Sequence, residues 1–197
     1  MSILRGLRIA FFTTLFATLA LMPSGCASTN VELPGIDDFD SAIDKAMREL
    51  LPKLRAQVGE NMAKGTIAVF PIAAKGDLAL GSNEGALYAK ICKYITDTGI
   101  WTPISRDLVV AAMRAAAIAD RRDLLIREGR DKFVSVLQDS SDRPEYIIAP
   151  ELNTLSSRDN KGYIYERRIE VNLQAYTADG GRVAAEATGD ALKSRPR

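Results

Sequence analysis

The sequence predicts an α/β fold: one domain with a mixed sheet of about five strands, flanking helices and a C-terminal antiparallel meander. Three observations predict it. Residues 66–72 (Thr-Ile-Ala-Val-Phe-Pro-Ile) and 146–149 (Tyr-Ile-Ile-Ala) are apolar on both faces, as strands covered on both sides are. Helical periodicity precedes the first segment and fills the interval between the two. Residues 163–177 then alternate apolar and polar side chains, and Asp179-Gly180-Gly181 supplies a hairpin turn.

In chain order, residues 38–58 form the first helix, with Ile43, Met47, Leu50, Leu54 and Val58 at three- and four-residue steps, and Ala46 and Leu51 beside them. Asp38 or Asp40 caps its start. Pro52 lacks an N–H and predicts either a kink or a second helix that it opens. Residues 66–72 are a strand ended by Pro71. Residues 73–83 carry Gly76, Asp77, Gly81 and Ser82 and read as a loop. Residues 84–98 are a helix closed by Gly99, with Leu87, Tyr88, Ile91, Cys92 and Ile95 on one face. Cys92 there reads as a small buried hydrophobe. Residues 101–105 are a short strand, and Trp101 at its start reads as core. Asp107 caps an alanine-rich helix running to about Ala119. Residues 121–139 are helical with a break at Gly129, and Leu124, Leu125, Phe133, Val134 and Leu137 face inward.

Residues 145–155 are a strand and 156–162 a polar turn. In residues 163–177, Ile169, Val171, Leu173 and Ala175 face the core. Glu166, Arg168, Glu170, Asn172, Gln174 and Tyr176 face water. Residues 182–192 return antiparallel. The two doubly apolar strands are expected to be neighbours at the centre of the sheet.

The N-terminus reads as a leader. Arg5 and Arg8 are followed by an apolar stretch over residues 9–22, too short to span a bilayer, where about 20 residues are needed. Pro23-Ser24-Gly25 then precedes Cys26. A cysteine after small residues resembles the bacterial lipobox, although Pro23 stands where that motif usually has Leu. The expected organisation is therefore a lipoprotein signal peptide over residues 1–25 and a lipidated Cys26 with a short linker over 26–37. A globular α/β domain over 38–192 and a frayed tail over 193–197 follow. The attached lipid implies palmitate among the acyl chains. Residues 27–37 reach at most about 40 Å, so the domain stays near its membrane.

Composition excludes several functions. The leader's only charges are Arg5 and Arg8, so without it 24 basic residues face 25 acidic ones. No nucleic-acid footprint survives that balance. The chain has no histidine and two cysteines. That removes imidazole-based nucleophile systems and the usual zinc sites. Asp37-Asp38 and Asp120 with Asp123 read as helix caps, and Arg121-Arg122 and Arg167-Arg168 as solvated or salt-bridged. No catalytic, metal or cofactor residue is expected. The loop at 73–83, between a strand and a helix, offers at most an anion site.

Several segments carry a resemblance. These are residues 66–72 after an amphipathic helix, the glycine-containing loop, and the helix ending Thr98-Gly99. Trp101 leading into Arg106-Asp107-Leu108-Val109, then Glu145-Tyr146-Ile147-Ile148-Ala149-Pro150 and Ala178-Asp179-Gly180-Gly181, complete them. Together, over roughly residues 40–190, they resemble a lipoprotein superfamily. It includes LpoB-type activators of penicillin-binding proteins, the curli secretion protein CsgG and FlgO-like flagellar lipoproteins. The resemblance implies an LpoB/CsgG-like fold and a non-enzymatic lipoprotein of the outer membrane, its domain facing the periplasm. Its partner would be an envelope protein, most specifically a peptidoglycan synthase (penicillin-binding protein) acting in cell-wall synthesis. The alternatives are a scaffold subunit of a flagellar or secretion assembly, self-associating as a homo-oligomer, and a small-ligand binding protein. No motif marks the partner-binding residues.

Overall fold

Helix α1 (Ile36–Gln57) buries one continuous stripe: Phe39, Ala42, Ile43, Ala46, Met47, Leu50, Leu51 and Leu54. A computed structural model gives the structure and describes residues 35–58, 64–76, 80, 83–140, 143–158 and 160–194. The leader, Cys26 and most of the linker lie outside the described residues. The helix starts earlier than expected, on Gly35, and Asp38 is its third residue, accepting from the Gly35 N–H at 2.8 Å. It runs as one helix through Pro52, which faces solvent. There the carbonyl left without an N–H partner can be satisfied by water.

Strand β1 (Gly65–Val69) is followed by β2 (Ala73–Lys75), then α2 (Asn83–Asp97), β3 (Trp101–Pro103) and α3 (Arg106–Ala115). A 3-10 turn over Arg121–Leu125 leads into α4 (Arg127–Ser140). The long strands β4 (Tyr146–Arg158), β5 (Ile164–Thr177) and β6 (Val183–Ser194) complete the chain. The sheet has six strands in the order β3-β1-β4-β5-β6, with β2 also on β4. Strand β1 lies parallel between β3 and β4, so the two doubly apolar strands are indeed central neighbours. Strands β4, β5 and β6 form the antiparallel meander. The α/β class with a mixed sheet is therefore as the sequence predicts.

The sixth strand is β2, inside the stretch read as a loop, and it pairs parallel with Glu151, Leu152 and Asn153. Pro150 falls between the part of β4 paired to β1 and the part paired to β2. A proline in a central strand is tolerated at such a gap.

The two sheet faces carry separate cores. Helices α1 and α2 cover one, over Ile67, Val69, Ile148, Leu152, Ile169, Val171, Leu173 and Ala175. Helices α3 and α4 cover part of the other, over Ala68, Phe70, Ile147, Ala149 and Tyr176. Trp101 is core, its indole N–H donating to Glu145 Oε2 at 2.9 Å and its ring edge-on to Tyr146. Cys92 is only half-buried, packing beside the first core.

Several local expectations are corrected. Ser105, not Asp107, caps α3, accepting from Leu108 N–H. The helix ends at Ala115, not near Ala119, because Ala117 takes a left-handed conformation with φ +56°. The break in residues 121–139 falls at Ile126 and not at Gly129. Asp120 and Asp123 form a capping box that starts a separate 3-10 turn. Two backbone N–H groups hold the Asp123 carboxyl below its ordinary range. Leu125 lies on the outside of that turn and is exposed. Strand β4 continues through Ser156 and Ser157 into the expected turn, and β6 reaches Ser194, two residues into the expected tail. Residues 195–197 lie outside the described residues. Tyr176 alternates onto the outer side of β5 as read, but α3 and α4 bury it there.

Candidate functional site

Among the described residues, helices α3 and α4 cover only the first half of their sheet face. On the remainder, alternation along β4, β5 and β6 brings Asn153, Leu155, Arg168, Glu170, Asn172, Gln174, Glu186, Thr188, Asp190 and Leu192 to one open surface. The polar side chains there are tied to one another. Thr188 Oγ1 donates to Asn172 Oδ1 at 2.7 Å, and Asn172 Nδ2 to Glu170 Oε1 at 2.8 Å. Tyr176 Oη donates to Gln174 Oε1 at 2.8 Å. Arg168 pairs with Asp190 at 3.3 Å. Register places Arg168 between Leu155 on β4 and Leu192 on β6, which are 55% and 59% exposed. The result is a hydrogen-bonded surface with two exposed leucines flanking an arginine.

At its covered end the surface runs into a charged cleft. Strand β2 turns Lys75 to the same side as Glu151, and the 3-10 turn brings in Arg121. Glu151 is buried, with its Oε2 2.6 Å from Lys75 Nζ and 3.2 Å from an Arg121 Nη. Asn153 donates to its other oxygen at 3.3 Å. Burial pushes the Glu151 carboxyl up, but the Lys75 ammonium, the Arg121 guanidinium and the Asn153 amide together hold it below the ordinary carboxylate range. Among the described residues, the second Nη of Arg121 is buried without a hydrogen-bond partner. Beside the cluster lies a cavity of about 260 Å³ with Phe70, Ile72, Met113 and Ala149 on its apolar side.

The sequence singled out Arg121, which the structure places in this cluster, and Asp120 with Asp123, which it assigns to capping. Arg167 is neither solvated nor on the open surface: it is buried on the α1 side of β5, while Arg168 faces out. Cys26 lies outside the described residues. Glu151, Lys75 and Arg130 were not singled out. Glu151 had a signal, a carboxylate continuing a run of doubly apolar strand, since such a residue needs partners. Arg130, buried with its Nη1 donating to Leu124 O at 3.0 Å, had none. Among the described residues no group of His, Cys, Asp and Glu is arranged to hold a metal. No described helix is long and apolar enough to cross a membrane.

Fold and site together define a class: a mixed-sheet α/β domain whose C-terminal meander leaves half of one face open. No family model matches the chain and no curated protein matches it. Solved structures with a similar arrangement include the C-terminal domain of LpoB from Escherichia coli. It is 13% identical with a TM-score of 0.46, the match covering 78% of this chain and 97% of that one. A lipoprotein from Neisseria meningitidis is 8% identical with a TM-score of 0.42, over 64% of this chain and 78% of that one. The PelC dodecamer subunit from Paraburkholderia phytofirmans is 14% identical with a TM-score of 0.31, over 70% and 79%.

Proposed function

We propose that this chain is a non-enzymatic envelope lipoprotein, anchored through Cys26 in the outer membrane with its domain in the periplasm. The domain binds a protein partner, and that partner is a peptidoglycan synthase of the penicillin-binding type. The observation that carries partner binding is the open meander surface, where hydrogen bonds already hold the polar side chains of the rows beside exposed Leu155 and Leu192. A surface ordered before contact loses less side-chain freedom on binding. The leader and Cys26 support the anchor, and the resemblance over residues 40–190 supports the synthase. Activation then consists of binding one conformation of the synthase better than another. The test is affinity purification of the full-length chain from membranes after mild crosslinking, beside a Cys26→Ala control. Recovery of a penicillin-binding protein with the lipidated form alone supports this reading. Recovery of itself alone, or of flagellar or secretion components, removes it.

The cavity beside Lys75, Arg121 and Glu151 favours a second reading, a small ligand with an acceptor group for the unpartnered Arg121 nitrogen. A rise in melting temperature with acetate or propionate, absent in Arg121→Gln, would support it.

A further inference from the structure

Among the described residues, strand β6 is an edge of the sheet, hydrogen-bonded to β5 on one side. It is 12 residues long, and its register with β5 runs without a shift from Ala185 to Ser194. A long regular edge offers its outward backbone groups to any other strand, above all to the identical edge of a second copy.

Helix α1 runs antiparallel along this edge. The ion pair of Lys193 with Asp38 lies at one end and Gln57 over Ala184 at the other. Three of its side chains reach the strand's backbone. Lys45 Nζ donates to Asp190 O at 2.6 Å, Lys53 Nζ to Glu186 O at 2.7 Å, and Gln57 Nε2 to Ala184 O at 2.5 Å. Carbonyls of alternate residues point to the same side of a strand, so those of Glu186 and Asp190 belong to one row, and Ala184 O at the register shift continues it toward Gln57. The donors also form one row, since positions 45, 49, 53 and 57 recur every four residues on a helix. Glu49, the remaining member, holds Lys53 Nζ at 2.6 Å. Lys45 and Lys53 are about half exposed, so packing of α1 does not depend on their length.

We propose that this stripe is an edge guard. It occupies the β6 carbonyls that a second copy's β6 would otherwise pair with, and so keeps the chain from self-associating through its sheet. Copies tethered to one membrane by a short linker would meet at the same height, where an open edge is most exposed. That last point rests on the anchoring reading; the guard does not.

The test uses the full-length chain with Cys26→Ala, in detergent. Lys45→Ala/Lys53→Ala/Gln57→Ala removes the donors, and Lys45→Arg/Lys53→Arg keeps them. Sedimentation is expected to give a monomer for the parent and the arginine variant. The alanine variant is expected to shift toward dimer as concentration rises. Adding Thr188→Cys is expected to trap a disulfide-linked dimer under mild oxidation only in the alanine background. A folded alanine variant that stays monomeric at every concentration overturns the proposal. A parent chain that already links through Thr188→Cys overturns it too. If circular dichroism shows the triple variant unfolded, Lys45→Ala/Lys53→Ala is carried through the same measurements and read the same way.

Discussion

Gly189→Ala tests how α1 is seated. Strand β6 is lined on its inner face by small residues, Ala185, Ala187, Gly189 and Ala191, and α1 approaches it most closely at Gly189. A methyl group on Gly189 would overlap the Ala42 carbonyl oxygen and lie 2.8 Å from both Ala42 C and Ala46 N. All three atoms are helix backbone, so no side-chain rotation relieves the overlap. The helix would have to retreat by roughly 1 Å, and a gap of that size forfeits a quarter to a half of each dispersion contact. Eight buried side chains of α1 share that loss. The cost belongs at the upper end of overpacking, about 3 kcal/mol, a large part of the ~5–15 kcal/mol that holds a domain together.

Urea unfolding followed by Trp101 fluorescence measures this cost. Trp101 is the sole tryptophan and is 1% exposed, so its emission reports the folded core. The midpoint should fall with the slope unchanged, and the melting temperature should drop by roughly 6–12 °C. Gly85→Ala is the control. Gly85 lies in α2, and a methyl group added to it would meet nothing within 4 Å, so the change should stabilise by about 0.5–1 kcal/mol. A Gly189→Ala loss below about 1 kcal/mol, or the same sign for both variants, would refute the close approach of α1 to β6.

Three further outcomes are expected. Glu151→Gln leaves Lys75 and Arg121 without their shared carboxylate and should cost about 2 kcal/mol, below the fully buried case because Lys75 is half exposed. Because the folded Glu151 carboxyl sits below its ordinary value of 4.5, its contribution is complete above that pH and is lost as pH falls below it. Denaturation curves across that range should therefore show a smaller acid-dependent loss in Glu151→Gln than in the parent. Gly181→Ala should destabilise by about 2 kcal/mol or more, since Gly181 has φ +59° and a methyl there would overlap an Arg130 Nη. Measured by thermal melting, a neutral result would remove Arg130 from beneath the hairpin. Ala117→Gly should raise the melting point modestly, by the equivalent of about 0.5–1 kcal/mol, because it relieves a left-handed alanine at the end of α3.

Periodicity and composition alone determined much of this protein. The apolar stripe of residues 38–58, the double apolarity of residues 66–72 and 146–149, and the alternation of residues 163–177 specified helix, central strands and meander. These are local properties, written in spacings of 3.6 and 2 residues. The absence of histidine and the apolar stretch before Cys26 shaped the functional reading in the same way. Only the tertiary structure decided the rest. That Lys75, Arg121 and Glu151 meet depends on β2 joining β4, and a three-residue strand has no periodicity of its own to announce it. That half of one sheet face stays open depends on where α3 and α4 end. The end of α3 was decided by a left-handed Ala117, and the 3-10 turn that precedes α4 by a capping box at Asp120; tertiary contacts override helix propensity there. The regular four-residue spacing of Lys45, Glu49, Lys53 and Gln57 was in the sequence throughout, but a polar stripe has no meaning until a partner lies beside it. Strand β6 becomes that partner only when the chain, more than a hundred residues later, returns to the flank of its first helix.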